Sequence, residues 1–220
     1  IIKAPHLDEP TRREIIGDFR DRWPQMTSED VLRVDNVGAV VGGELTKEAF
    51  WALLAAAVGM VIYITMRFEF KFALAAIIAL LHDAFIIVAL FSIFMIEVNS
   101  PFIAAVLTII GYSINDTIVI FDRIRENLKS NRKKSIGEVV NGSINDNLIR
   151  SINTSLTTLV VLISLFVAFN YFVGGMDLKV FALALLIGVV SGTYSSIFIA
   201  SPLWVSLRMM EDKKHQKSAA

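Results

Sequence analysis

Asp116 is a carboxylate set in a run of residues otherwise suited to a bilayer. Around it the chain reads Gly111-Tyr112-Ser113-Ile114-Asn115-Asp116-Thr117, then Ile118-Val119-Ile120-Phe121-Asp122-Arg123. An unpaired Asp at mid-membrane costs at least roughly 2.5–3.5 kcal/mol, so such groups tend to have a task. The chemistry open to this one is proton uptake and release. Apolar surroundings favour a neutral acid, a nearby cation favours a carboxylate, and a group held between the two is switched by a small movement of its partner. On a helix, Tyr112, Ser113 and Ile120 share the face of Asp116, and Tyr112 and Ser113 are expected to donate hydrogen bonds to it. Asn115 adds a polar neighbour. The plainer alternative is a static buried carboxylate that fixes helix packing.

Arg150 is the natural partner. Arg150, Asn153, Thr154 and Thr157 follow one another at i, i+3, i+4 and i+7, which puts them on one face of a helix. Such a stripe needs protein or water to face rather than lipid. The competing reading is an arginine that snorkels to the headgroups. His82-Asp83 is a second ionisable pair, inside the run Leu80-Leu81-His82-Asp83-Ala84-Phe85. Asp83 could relay protons or bind a neighbouring helix, and His82 titrates near neutral pH when unperturbed. The alternative for both is interhelical glue. Gly188 and Gly192 make a small-xxx-small pair beside the polar word Ser191-Gly192-Thr193-Tyr194-Ser195-Ser196, and close helix packing is the favoured reading there.

Other chemistries are poorly supplied. The chain has no Cys, and its three His residues, at 6, 82 and 215, are scattered. Gly38, Gly42 and Gly43 lack the lysine and spacing of a phosphate-binding loop and are expected to form a flexible entry to the first span. No hydrolase triad or metal motif is present. The expectation is a protein that is not an enzyme and has no cofactor, with protons as its coupling ion. With 21 basic and 21 acidic residues the formal net charge is +0, which gives no hint of nucleic-acid binding.

The elements that must position these groups are membrane helices. Hydrophobic residues make up 55% of the 220, above the share of a typical soluble domain. A span needs about 20 mostly apolar residues. Five runs qualify: Ala49 to Met66, Phe72 to Ile96, Phe102 to Phe121, Thr154 to Val173 and Val180 to Leu207. Lys and Arg concentrate after the first and third spans and in the tail, which predicts that those segments are cytoplasmic. The expected organisation is an extracytoplasmic piece at 1–46, a helix bundle at 47–207 with a cytoplasmic loop at about 122–149, and a cytoplasmic tail at 208–220. Within the first piece, Ile1 to Lys3 and Val31 to Val37 read as strands and Pro10 to Arg22 as an amphipathic helix ended by Trp23-Pro24. A strand-helix-strand piece this small buries little core, so it is expected to be the second half of a small α+β domain. The opening at Ile1 rather than Met fits a piece of a longer chain. Ser135-Ile136-Gly137-Glu138 fits a capping box that starts a helix in the loop.

Several words in the chain have a family look. They are Asn115-Asp116-Thr117, Asp122-Arg123-Ile124-Arg125-Glu126-Asn127, Arg67-Phe68-Glu69, Leu81-His82-Asp83, the segments 152–158 and 191–196, and Val37-Gly38 leading to Glu44-Leu45. Together they resemble the signature of the SecD/SecF protein-export family, on its SecF branch. The resemblance implies a mainly α, polytopic fold like that of the resistance-nodulation-division transporters. Such chains have six membrane helices and an extracytoplasmic ferredoxin-like domain between the first two. The five spans here would be helices two to six, and the chain would begin inside that domain. The resemblance also implies a bacterial cell membrane location and partnership with SecD, the SecYEG channel, YajC, unfolded preprotein and membrane lipids. The implied activity is use of the proton motive force, with SecD, to promote the late, extracytoplasmic stage of translocation. Asp116 falls on the family's membrane aspartate and Arg150 on its membrane arginine. That makes them the expected proton-coupling pair, with Tyr112, Ser113, Asn115, Asn153, Thr157, His82 and Asp83 as supporting polar groups. A second family aspartate belongs to SecD, so this chain alone would not hold a complete proton path. The rival readings are a passive scaffold subunit and an exporter of small molecules or lipids of the related transporter class.

Overall fold

The computed structural model describes residues 9–25, 39–131, 133–173 and 176–218. The strands expected at 1–3 and 31–37 lie outside the described residues, and so does any test of the α+β half-domain; among the described residues there are helices and no strand. The chain divides into two compact units, residues 1–50 and 51–220.

In the first unit, α1 runs from Glu9 to Arg22, where the amphipathic helix is expected. Glu9 in its first turn and Arg20 and Arg22 in its last complement the helix dipole. Ile15, Ile16 and Phe19 are half-buried. Trp23 closes the helix, its ring stacked on Phe19 at 5.5 Å. The next helix, α2, spans Ala39–Arg67. Gly42 and Gly43 are therefore helical, not a flexible entry. Each glycine disfavours a helix by about 1 kcal/mol, but a segment approaching lipid must satisfy its backbone internally, and only a helix does so within one strand of chain.

The second unit continues with α3 (Phe70–Ile93), α4 (Ser100–Ser130) and α5 (Ile136–Ala168), which runs on as a π-helical turn over Phe169–Val173. Then come α6 (Met176–Ser195), a second π-helical turn at Ser196–Ala200, and α7 (Ser201–Ser218). Five helical segments are long and apolar enough to cross a membrane, in the five places the hydropathy indicates. The chain is a multi-pass membrane protein. Its helices outrun the expected spans at their charged ends. With 31 residues, α4 is about 46 Å long at 1.5 Å per residue, against a hydrocarbon core of about 30 Å.

Local signals fix where these helices begin. Asn99 caps α4, its Oδ1 accepting from the Phe102 amide at 3.0 Å, with Pro101 in the first turn. The Asn99 amide also donates to Asp177 at 2.8 Å and so ties the start of α4 to the start of α6. Ser135 and Glu138 form the predicted capping box at the start of α5.

The core lies around α4 and α6, which pack most extensively on one another. Small residues allow this. A Cβ on Gly188 would collide with the Ile109 side chain, and one on Gly192 would lie 3.0 Å from Ser113 Cβ. On α3, Ala73, Ala76 and Ala79 are fully buried at helical spacing. By contrast only 6% of the apolar window of α2 is buried, against 56% for α6–α7. The outward faces of α2 and α5 carry large apolar side chains such as Leu54, Val58, Leu156 and Val161, a composition suited to lipid.

Candidate functional site

Three helices of the core each carry a pair of small hydroxyl residues one turn apart: Ser113 and Thr117 on α4, Ser151 and Ser155 on α5, Ser191 and Ser195 on α6. All six are buried. Their spacing puts each pair on one helical face, and the close approach at Gly188 and Gly192 brings α4 and α6 near enough for the hydroxyls to reach across.

Asp83 of α3 is the centre of one cluster. It is 0% exposed. Its Oδ2 accepts from Ser113 Oγ and Ser195 Oγ, each at 2.7 Å, and its Oδ1 accepts from Ser191 Oγ at 2.7 Å. His82 Nδ1 lies 3.3 Å from the same Oδ1. One carboxylate thus joins α3, α4 and α6. Buried carboxylates are costly unless hydrogen-bonded, and hydrogen bonds to charged groups contribute about 1.5–3 kcal/mol each. The π-helical turn that starts at Ser196 matters here. It lets Ser195 face Asp83 while the next residue, Ser196, meets Thr117 Oγ1 at 2.8 Å and the Ser113 carbonyl at 3.4 Å. Single π turns within helices occur frequently at functional sites.

Asp116 is different. Ser151 of α5 donates to its Oδ1 at 2.9 Å. Its Oδ2 is buried and has no hydrogen-bond partner among the described residues. No hydrogen bond or ion pair joins Asp116 to Arg150, which is exposed, but the guanidinium is close enough for its charge to act on that carboxyl. One oxygen is held and one has no partner among the described residues, so the group can take a proton without giving up a hydrogen bond.

The expected supporting residues are distributed differently from the sequence reading. Ser113, expected to serve Asp116, serves Asp83. Tyr112, expected to do the same, pairs its hydroxyl with Thr158 Oγ1 at 3.1 Å, which links α4 to α5. Asn115 is exposed. Asn153 and Thr157 are exposed with Arg150 and Thr154, so the polar stripe of α5 points away from the described bundle. Thr154 and Thr157 spend their hydroxyls on α5 itself, donating to the carbonyls of Arg150 and Thr154. The other groups that reach the carboxylates, besides Ser113, are serines 151, 191 and 195. The readable signal for them was the repeated i, i+4 pair of small hydroxyls within apolar helices. Ser155 joins the layer through Thr193, with the two hydroxyl oxygens 2.5 Å apart.

Beyond the apolar segments a charged clamp joins α4 and α5. Arg123 binds Asp146 through Nε at 3.0 Å and Nη2 at 2.8 Å, and Asn127 donates to Ser143 at 2.9 Å. The clamp sits on the α4 face that, two turns earlier, presents Asp116 to Ser151, and it fixes the register of the two helices.

Comparison with known proteins agrees with this architecture. The family described as "Protein export membrane protein SecD/SecF, C-terminal" matches residues 22–210. The protein translocase subunit SecF of Sebaldella termitidis is 44% identical over 218 residues, covering 99% of this chain and 68% of that protein. The SecF of Alicyclobacillus acidocaldarius is 52% identical over 186 residues, 83% of this chain and 59% of that protein. The SecDF of Bacillus subtilis is 46% identical over 94% of this chain and 27% of its own length. Among solved structures, SecDF from Thermus thermophilus, described as a translocon-associated membrane protein, matches with a TM-score of 0.78 at 39% identity. The match covers 94% of this chain and 27% of that one.

Proposed function

Because the chain belongs to the SecD/SecF protein-export membrane protein family, we propose that it is the greater part of a SecF-like subunit that couples proton movement to Sec-dependent protein export. In this reading the subunit pairs with SecD, works with SecYEG and YajC, and promotes the late, extracytoplasmic stage of preprotein translocation. The basic ends of the spans face the cytoplasm, as the Lys and Arg distribution favours. The part of the chain ahead of α2 belongs, in this reading, to an outer domain of the subunit. The subunit is not an enzyme; protons are its coupling ion, and it needs no organic cofactor.

The observation that carries the reading is the half-satisfied carboxyl of Asp116, with Ser151 on Oδ1 and nothing among the described residues on Oδ2. Proton arrival at that free oxygen removes a charge from the bundle. It also weakens the charge-assisted bond to Ser151 and the attraction toward Arg150. Both changes act on the α4–α5 contact, so protonation biases that contact between two positions. A transmembrane potential supplies about 2.3 kcal/mol per charge per 100 mV, enough over several protons to drive movement of an outer domain.

The test is Asp116→Asn in the full-length subunit assembled with SecD. Completion of preprotein translocation into membrane vesicles is measured with and without an imposed proton gradient. The expected result is intact assembly with no acceleration by the gradient. A variant that responds to the gradient like its parent makes Asp116 structural and leaves the scaffold reading in its place. Drug susceptibility of cells lacking the subunit separates the exporter reading, which alone requires a direct loss of small-molecule resistance.

A further inference from the structure

At the basic end of the bundle, away from both carboxylates, a cavity of about 560 Å³ opens among α3, α4 and α7. Its rim carries Arg67, Arg125, Lys129 and Arg208 against a single carboxylate, Glu69. Glu69 is engaged by Arg208 at 2.7 Å. Arg67 reaches Asp122 at 3.3 Å. Arg125 and Lys129 have no acidic partner among the described residues; the Arg125 guanidinium donates only to the Arg67 carbonyl at 3.2 Å and rests over the Phe68 ring. Among the described residues, the rim therefore holds two cations without an ion-pair partner.

The floor is apolar and aromatic. Phe72 stacks on Trp204 with ring centroids 4.4 Å apart. Trp204 is 1% exposed, and its indole Nε1–H meets no acceptor among the described residues. A buried indole N–H ordinarily has one. Trp204 lines the same cavity as these cations.

We propose that this cavity is a binding site for the phosphate headgroup of an anionic phospholipid. The phosphate oxygens meet Arg125 and Lys129 at the rim, and the first acyl carbons lie toward the aromatic floor of Phe68, Phe72 and Trp204. The location fits such a ligand. Arg67 is the last residue of α2 and Phe70 the first of α3, so the cavity lies where two spans turn at the membrane surface. Basic pockets between membrane helices bind anionic headgroups in this way. The same phosphate chemistry could come from a soluble phosphate ester, and the experiment separates the two sources.

The full-length subunit is labelled with 5-fluorotryptophan in detergent, and the Trp204 resonance is assigned by its loss in Trp204→Phe. Phosphatidylglycerol, phosphatidylcholine and glycerol phosphate are then titrated separately. Phosphatidylglycerol is expected to shift the Trp204 resonance saturably, while phosphatidylcholine leaves it in place. In Arg125→Gln/Lys129→Gln, whose changed residues are exposed, the affinity for phosphatidylglycerol should fall by roughly tenfold or more, at about 1 kcal/mol per basic residue. The unliganded resonance should not move. Equal shifts with phosphatidylcholine, or an unchanged affinity in the double variant, overturn the proposal. A full response to glycerol phosphate alone replaces the lipid with a soluble phosphate ester.

Discussion

Two carboxylates occupy the bundle, and they are held in opposite ways. Asp83 has every oxygen engaged, by three serines from two other helices, and no exposure. Asp116 has one serine on one oxygen and none on the other. A group bound on all sides ties its neighbours together, because every donor shares the one acceptor. A group bound on one side can gain or lose a proton with a small adjustment. The contrast assigns different duties to residues of one chemical type. Asp83 fixes α3, α4 and α6 as one body, and Asp116 is free to report a change to α5.

Isosteric substitution breaks the comparison most directly. In Asp83→Asn, the amide oxygen can replace Oδ2 and keep Ser113 and Ser195, but the NH₂ then faces Ser191 and His82 Nδ1. At least one donated hydrogen bond is lost, a cost of about 1.5–3 kcal/mol. The midpoint of thermal unfolding in detergent should fall by several degrees, and Asp83→Leu, which strands all three serines, should fall further or fail to assemble. If Asp83→Asn is as stable as the parent, the serine cage is not what holds these helices. A smaller effect is expected at the spacing that lets Ser113 reach. In Gly192→Ala the new Cβ would sit 3.0 Å from Ser113 Cβ and 3.1 Å from its Oγ, so α4 must yield by a few tenths of an ångström. Overpacking of this kind typically costs about 1–3 kcal/mol. The loss caused by Gly192→Ala should be smaller in a Ser113→Gly background than in the parent, and an equal loss in both would show that the strain lies elsewhere.

The helix bundle was legible in the sequence because a bilayer imposes a length and a composition that few other environments demand. The helix ends were less so. Residues 122–130 of α4 and 136–153 of α5 carry charge, and hydropathy cannot tell a helix that projects into water from a loop. The same bias explains Gly42 and Gly43, which local propensity reads as flexible. Asp116 stood out because a lone carboxylate in apolar sequence is rare. Its donor did not, because a serine in a membrane helix is usually content to bond its own backbone, as Ser164 does with the Val160 carbonyl. That Ser151 turns to Asp116, and Ser113 to Asp83, follows from how α4 crosses α5 and α6. Only the tertiary register contains that information. The outward stripe of Arg150, Asn153 and Thr157 was readable as a stripe, and its direction was not.

The sharpest form of the comparison uses the weaker site. Asp116→Asn keeps the shape, and its amide oxygen can still accept from Ser151 with the NH₂ where Oδ2 was free. Its effect on stability should stay within about 1 kcal/mol, because a single hydrogen bond is at stake and can be remade. Ser151→Ala should cost more, about 1–3 kcal/mol, since it leaves the Asp116 carboxyl without its one donor among the described residues. On the coupling readout the order should reverse. Asp116→Asn removes the acid itself and should abolish the response to a proton gradient, whereas Ser151→Ala keeps the acid and should retain the response. A response that Ser151→Ala abolishes as fully as Asp116→Asn would mean that the α4–α5 contact through Ser151, and not the acid alone, carries the coupling.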